Sequence, residues 1–334
     1  MNSKNKQRLK STAEIVVSVV LPVYNEIDIL QELYKSIDRI FKDMNCPYEI
    51  IFVDDGSSDG SSEMIDTIAA SNSHVKVLHF SRNFGHQSAV HAGLIHARGD
   101  VIVVMDSDLQ DDPASIPLFI KKWQEGYDVV YAIRTERKES ALMKFFFAVF
   151  YRVLKRIASL SLPNDAGNFG LIDQRVAREV VSLHEQNRFY PGLRNWVGFS
   201  QIGIDVPRNA RYDKSPRVSF CDLLKLAKNA IFSFSTFPLS IFHAIAFGAA
   251  MAFAGLCCFT LYHKIFTELA IPGWTSIIMT GCFFGFLNAL GIGILGEYIL
   301  RIYEQVKNRP MFIIERKVNF SEIQNNDDIQ HSLH

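Results

Sequence analysis

The chain has no excess of charge of either sign: 35 Lys and Arg stand against 35 Asp and Glu in 334 residues. Nucleic-acid binders are usually strongly basic, so no nucleic-acid partner is expected, and any attraction to anions has to be local. Cysteine is scarce. The five, Cys46, Cys221, Cys257, Cys258 and Cys282, show no CxxC or other ligand spacing, which argues against a thiolate metal centre and for reduced packing residues in a cytoplasmic or membrane setting. Neither GxGxxG nor GxxxxGK[ST] follows any strand-like run, so the backbone cradles used for dinucleotides and for ATP are missing. The N-terminal tail, 1–14, is polar, and the apolar run after it, 15–23, has neither the length nor the small-residue cleavage site of a secretion signal. The region is expected to stay on the side where it is made.

What is present begins with alternation. Short apolar, β-branched runs at 15–23, 48–53, 75–80, 101–105 and 128–133 are separated by amphipathic stretches near 28–41, 61–70, 85–97 and 114–125. Strands that are apolar throughout, with helices between them, predict an open α/β domain whose mainly parallel sheet is covered on both faces. The length fits such a domain, 15–218, followed by something smaller.

Charge is also missing from two long stretches, 237–262 and 274–296, each exceeding the roughly 20 residues a spanning helix needs. With the second helix carried on to 299, they predict a transmembrane hairpin. The loop between them carries only Lys264 and Glu268, whereas Arg208, Arg211, Lys214, Arg217, Lys225 and Lys228 precede it and Arg301, Lys307, Arg309, Arg316 and Lys317 follow. By the positive-inside rule the α/β domain and both termini face the cytoplasm, in an integral protein of the inner (plasma) membrane. Two further stretches, 141–160 and 219–233, mix aromatic residues with cations. They read as helices at the bilayer interface, with an ordinary amphipathic helix packed on the domain as the alternative for the first. A late strand is expected within 308–319 of the C-terminal segment, 300–334. Gly281, Gly285, Asn288, Gly291 and Gly293 suit helix packing, either in a homo-oligomer or within the hairpin.

In an open parallel sheet, ligands bind beyond the carboxyl ends of the strands. Polar residues collect there: Pro22, Tyr24, Asn25 and Glu26 after the first strand, Asp54 to Ser57 after the second, Ser81, Arg82 and Asn83 after the third, Asp106 to Gln110 after the fourth. Each cluster alone could be a turn or a helix cap. Asp106 and Asp108, spaced i and i+2, place carboxylates where a hard divalent ion could bridge them to a diphosphate, with Gln110 as a third oxygen ligand.

In this order, Pro22-Val-Tyr-Asn-Glu26, Val53-Asp-Asp-Gly-Ser-Ser-Asp59, Arg82-Asn-Phe-Gly-His86 and Met105-Asp-Ser-Asp-Leu-Gln-Asp-Asp-Pro113 resemble the inverting family-two glycosyltransferases of GT-A fold. Within these the chain looks most like dolichol-phosphate mannose synthases and bacterial bactoprenol glucosyltransferases; the motifs cover about the first 135 residues, and the hairpin resembles the bactoprenol branch. The resemblance implies metal-dependent transfer of a sugar from a nucleotide-sugar, glucose from UDP-glucose first and mannose or an amino sugar behind it, to polyprenyl phosphate. It implies that Pro22, Tyr24, Glu26, Asp54, Arg82 and Asp106 line the donor site, and that Asp106, Asp108 and Gln110 hold Mg²⁺ or Mn²⁺. Arg134 and Arg137 fit anion contacts, and Arg137, Arg208 and Arg211 the acceptor phosphate. The family's segment before the first span reads Arg-x-x-Arg-x-x-Gly-x-Ser-Lys-Tyr; Arg208 and Arg211 match, while Lys214, Pro216, Arg217 and Val218 depart from it. Asp165 corresponds to the acidic residue before a Gly-Phe-Arg-like stretch whose arginine Gly170-Leu171 lacks, and it orients acceptor or sugar or caps a helix. A processive polysaccharide synthase would resemble its family in a Gln-x-x-Arg-Trp motif and further membrane helices, which this chain lacks, and a non-catalytic membrane scaffold would not need Asp106 and Asp108.

Overall fold

The computed structural model describes residues 14–134, 166–183, 185, 188–206 and 273–320, with isolated helical positions between 247 and 266. The chain divides into two compact units, one of 1–151, 160–217 and 310–334 and the other of 152–159 and 218–309.

The first unit is built on β1 (Val17–Val23), β2 (Tyr48–Asp54), β3 (Val75–Phe80), β4 (Val101–Val104), β5 (Val129–Arg134), β6 (Ala166–Asp173), β7 (Gln201–Val206) and β8 (Ile314–Val318). They form one sheet in the order β7-β5-β6-β4-β1-β2-β3-β8. The pairs β1–β2, β2–β3, β1–β4 and β5–β7 are parallel, whereas β6 runs antiparallel to β4 and β5, and β8 antiparallel to β3. The mainly parallel sheet predicted from the apolar runs is therefore present, and the expected late strand is β8. Strands β6 and β7 are additional to the five expected from the apolar runs.

Helices α1 (Ile27–Met44), α2 (Ser61–Ser71), α3 (His86–His96), α4 (Ile116–Gln124), α5 (Gln174–Ser182) and α6 (Tyr190–Trp196) accompany the strands. The first shows why they form. Ile29, Leu30, Leu33, Ile37 and Phe41 recur at helical spacing and are buried, and the helix stops where Asn45 turns left-handed at φ 46°. Every residue of β1 is buried, and each wholly buried aliphatic side chain contributes roughly 1.5–3 kcal/mol. The polar exception is Ser18, whose hydroxyl donates to Glu49 and accepts from the Gly99 amide at 2.7 Å. Lys76 closes this latch on Glu49 at 2.7 Å.

In the second unit, α7 (Trp274–Val306) is a single helix of 33 residues. Its stretch Phe283–Val306 has a mean hydropathy of 1.6 and is 6% buried, so it has the length and composition to cross a membrane. The predicted first span and both predicted interface helices, 141–160 and 219–233, lie wholly or mainly outside the described residues.

Candidate active site

The strand register lines up the chain's polar turns at one end of the sheet. Val23 pairs with Asp54 and Asp54 with His79, so β1, β2 and β3 finish level and release their loops side by side. Those loops bind one another. The Asn25 amide donates to Ser57 Oγ at 3.1 Å, the Ser58 amide to Asn25 Oδ1 at 2.8 Å, and the Glu26 amide to Ser61 Oγ at 3.0 Å. Asn25 reaches this geometry at φ 55°, a conformation asparagine tolerates better than most residues. Gly56, at φ +70°, lies so close to the β3–α3 loop that a Cβ there would meet Arg82 C at 2.7 Å and Asn83 N at 2.8 Å. Tyr24 is left 45% exposed on the outer side of this frame, and Pro22 is buried beneath it, its carbonyl accepting from Ser107 Oγ at 2.6 Å.

The two adjacent aspartates divide their work. Asp54, 2% exposed, accepts from the Ser57 amide, from Ser62 Oγ and from His79 Nδ1. Burial raises its pKa, but the hydrogen bonds from His79, Ser62 and Ser57 outweigh it and bring the group down to about 2. Its carboxylate thus faces into the domain, holding the β2–α2 turn. Asp55 accepts from the Phe84 amide at 2.7 Å and the Gly85 amide at 2.9 Å, with burial raising its pKa against those donors. It ties the start of α3 to β2.

Beyond β4, Asp106 Oδ1 receives His86 Nε2 at 3.0 Å and Asn168 Nδ2 at 3.3 Å. Three segments, α3, the β4 turn and β6, therefore meet at one carboxylate. Partial desolvation opposes the charge on His86, whose side chain stays 41% exposed, yet the hydrogen bond to Asp106 and the fields of Asp106, Asp55 and Asp108 raise its pKa. Asp108 accepts from the Gln110 amide at 3.1 Å across Leu109, which is left-handed at φ 56°. Among the described residues no cluster of three or more His, Cys, Asp or Glu forms a ready metal centre. Two carboxylates in one tight turn still fit Mg²⁺ or Mn²⁺, because such ions commonly take one or two protein carboxylates and complete their shell with substrate phosphates.

The structure thus brings together Pro22, Tyr24, Glu26, Asp54, Asp106, Asp108 and Gln110 of the residues expected from sequence. Arg82 lies at the same end, its guanidinium 4.0 Å over the Phe84 ring. Arg134 closes β5. Asp165, Arg137, Arg208 and Arg211 lie outside the described residues. Asp55, His86 and Asn168 carry no expected role in the sequence, although all three sit within the motif stretches 53–59, 82–86 and 163–170. Arg194 gave no signal at all. It is 2% exposed, with its guanidinium 5.2 Å from the Tyr131 ring and 5.5 Å from the Tyr190 ring, and it donates to the Gly167 carbonyl at 3.3 Å. Burial lowers its pKa.

Residues 18–181 match the profile described as Glycosyl transferase family 2. Among curated proteins, the uncharacterized glycosyltransferase YkcC of Bacillus subtilis is 40% identical over 90% of this chain and 94% of its own. The uncharacterized glycosyltransferase sll0501 of Synechocystis is 34% identical over 90% and 95%. The SfII prophage-derived bactoprenol glucosyl transferase of Shigella flexneri is 36% identical over 90% and 97%. A solved structure, glucosyl-3-phosphoglycerate synthase of Mycobacterium tuberculosis with Mn²⁺, uridine diphosphate and phosphoglyceric acid, matches at 20% identity and a TM-score of 0.47, over 66% of this chain and 77% of that one.

Proposed function

Since the chain belongs to glycosyl transferase family 2, we propose that it is a membrane-anchored hexosyltransferase that moves a sugar, glucose from UDP-glucose, onto polyprenyl phosphate at the cytoplasmic face. The observation that carries this is the extent of the match to the Shigella bactoprenol glucosyl transferase. A match over 90% of this chain and 97% of the relative leaves out too few residues to omit either the α/β domain or both of the charge-free stretches 237–262 and 274–296. A soluble sugar acceptor would not require those stretches; a polyprenyl chain does, because moving it out of the bilayer costs its apolar burial.

The chemistry asks little of a protein base. A lipid phosphate has a second pKa near 6 and reaches the site already ionised at neutral pH. Its oxygen bonds to the anomeric carbon as the bond from that carbon to the diphosphate oxygen breaks, and the electron pair leaves on the diphosphate with inversion. Tyr24, Glu26 and the turn held by Asp54 bind and orient the nucleoside. Mg²⁺ or Mn²⁺ at Asp106, Asp108 and Gln110 would offset the charge developing on the leaving group. Arg134, Arg137, Arg208 and Arg211 offset the repulsion between two anionic substrates, and Asp165 orients acceptor or sugar.

The test is to incubate the purified full-length chain with polyprenyl phosphate and a panel of radiolabelled nucleotide-sugars, then extract lipid. Label in the lipid phase from UDP-glucose supports the reading in full. Label from GDP-mannose or an amino-sugar donor keeps the reaction and corrects the sugar, and release of free sugar without labelled lipid overturns it.

A further inference from the structure

Asp54 is the inner end of a chain of charges that leaves the donor site altogether. His79 is 4% exposed in β3, and both of its ring nitrogens face carboxylates: Nδ1 lies 2.9 Å from Asp54 Oδ2 and Nε2 lies 3.0 Å from Asp66 Oδ1. Asp66, on α2, receives Arg316 Nη2 on its other oxygen. Arg316 belongs to β8 and is the residue directly opposite His79 in the antiparallel β3–β8 pair. From the sheet edge inwards the order is therefore guanidinium, carboxylate, imidazole, carboxylate.

The outer end of this chain is firmly placed. Asn319, at the end of β8, donates from Nδ2 to the Ala69 carbonyl at the end of α2 and to the Val75 carbonyl at the start of β3, both at 2.8 Å. Its inner end is equally defined, because Asp54 also holds the Ser57 amide at 3.0 Å and Ser57 Oγ holds the Asn25 amide at 3.1 Å. A carboxylate with two acceptor atoms and no other support is free to rotate. Here His79 and Ser62 fix one oxygen of Asp54 and thereby direct the other at the turn.

We infer that Arg316, Asp66 and His79 are positioning residues for the nucleotide-sugar: β8 sets, through this chain and Asp54, the geometry of the β1–α1 and β2–α2 loops that bind the donor. The inference rests on the proposed reading that these loops form the nucleoside site. β8 lies at the edge of the sheet beside β3, away from β4 and Asp106, so its effect falls on donor binding and not on the chemical step.

The experiment titrates UDP, and separately GDP, onto purified full-length protein carrying Arg316→Ala, Arg316→Lys, Asp66→Asn or Asp54→Ala, and measures donor KM, acceptor KM and kcat for each. Arg316 is half exposed, so its replacement tests the chain even if the Asp66 or Asp54 variant fails to fold. The expected result is a nucleotide affinity weakened roughly threefold to tenfold in Arg316→Ala and Asp66→Asn, with partial rescue by Lys. Donor KM rises in parallel, and kcat and acceptor KM stay within about twofold. The double variant Arg316→Ala/Asp66→Asn should bind no worse than Asp66→Asn alone, because Arg316 acts through Asp66. If Asp54→Ala weakens nucleotide binding while Arg316→Ala and Asp66→Asn leave it unchanged, the chain has no positioning role and the inference is overturned. An Asp54→Ala variant that folds and binds UDP and GDP as before overturns the reading of the nucleoside site, and the inference with it. Equal losses in donor KM, acceptor KM and kcat would mark β8 as purely structural and also overturn it.

Discussion

Asp108 shows how a single side chain is tested apart from the fold. It sits in a turn beyond β4, where it accepts from the neighbouring Gln110 amide. Asp108→Ala is expected to lower transfer at least about a hundredfold while leaving the thermal melt in place, as removal of a metal ligand should. Near wild-type turnover at saturating Mg²⁺ or Mn²⁺ would remove the metal assignment. Asp54 differs in that its hydrogen bonds to Ser57, Ser62 and His79 also hold the turn, so its loss is read in stability as well as in donor binding. Its folded pKa, about 2, lies below the ordinary 3.8, so its hydrogen bonds contribute stability that is complete above pH 3.8 and lost as pH falls through 2. The shift corresponds to roughly 2 kcal/mol. Asp54→Asn should lower the melting temperature at pH 7, and the gap from wild type should close between pH 4 and pH 2. A gap that stays constant across that range would show that the stabilisation does not come from the ionised carboxylate. At this scale much was visible in advance: the turn residues of four strands were identified, because aspartate, asparagine and glycine crowd where apolar runs stop. The partnerships were not. Nothing in the spacing of His86 or Asn168 says that both will meet Asp106, since they approach from α3 and from β6 and only the folded sheet brings those elements together.

Among the elements, legibility follows burial on both faces. The strands β1 to β5 were readable because, covered by helices on either side, they are almost uniformly apolar. The sequence of β6, AGNFGLID, is broken by glycines and asparagine. Those residues are there for contacts the pattern cannot show. Gly170 lies where a Cβ would meet the Val130 carbonyl at 2.5 Å, and Asn168 reaches Asp106. The edge strand β7 is only half buried, so it alternates too weakly to be seen. The same reasoning makes the loop crossing at Gly56 a point of failure. At φ +70° and with the backbone of Arg82 and Asn83 in the way, Gly56→Ala must strain its own turn or push the β3–α3 loop aside. A loss of roughly 1–3 kcal/mol is expected in denaturant unfolding, together with a raised donor KM. An unaltered midpoint and KM would mean that the two loops are not rigidly braced.

For the whole molecule the governing fact is that one substrate is soluble and the other, in the proposed reaction, is not. Phe286, Ile292, Ile299 and Ile302 of α7 are each more than 60% exposed, which suits a helix whose surroundings are lipid. With cations concentrated before 237 and after 300 and few between the two charge-free stretches, the loop 263–273 should face away from the cytoplasm. A cysteine placed at Glu268 in a background lacking the native cysteines should be labelled from outside intact cells and one at Asn319 should not; the reverse pattern would refute the topology. The acceptor's position is predicted on the same grounds. A polyprenyl phosphate remains at headgroup depth, so its charge must be met by cations next to the proposed interface segments, and Arg137 and Arg211 precede 141–160 and 219–233 in the chain. Replacing either with Ala should raise the KM for lipid phosphate several-fold to tenfold more than that for the nucleotide-sugar, and Lys should restore only part because it lacks the two-pronged guanidinium contact. The pH profile should also show no enzyme base titrating above the phosphate's own second pKa of about 6. If both variants alter only the donor KM, or activity follows a group that ionises well above pH 7, the acceptor does not bind at these arginines, and Asp165 would have to act as the base.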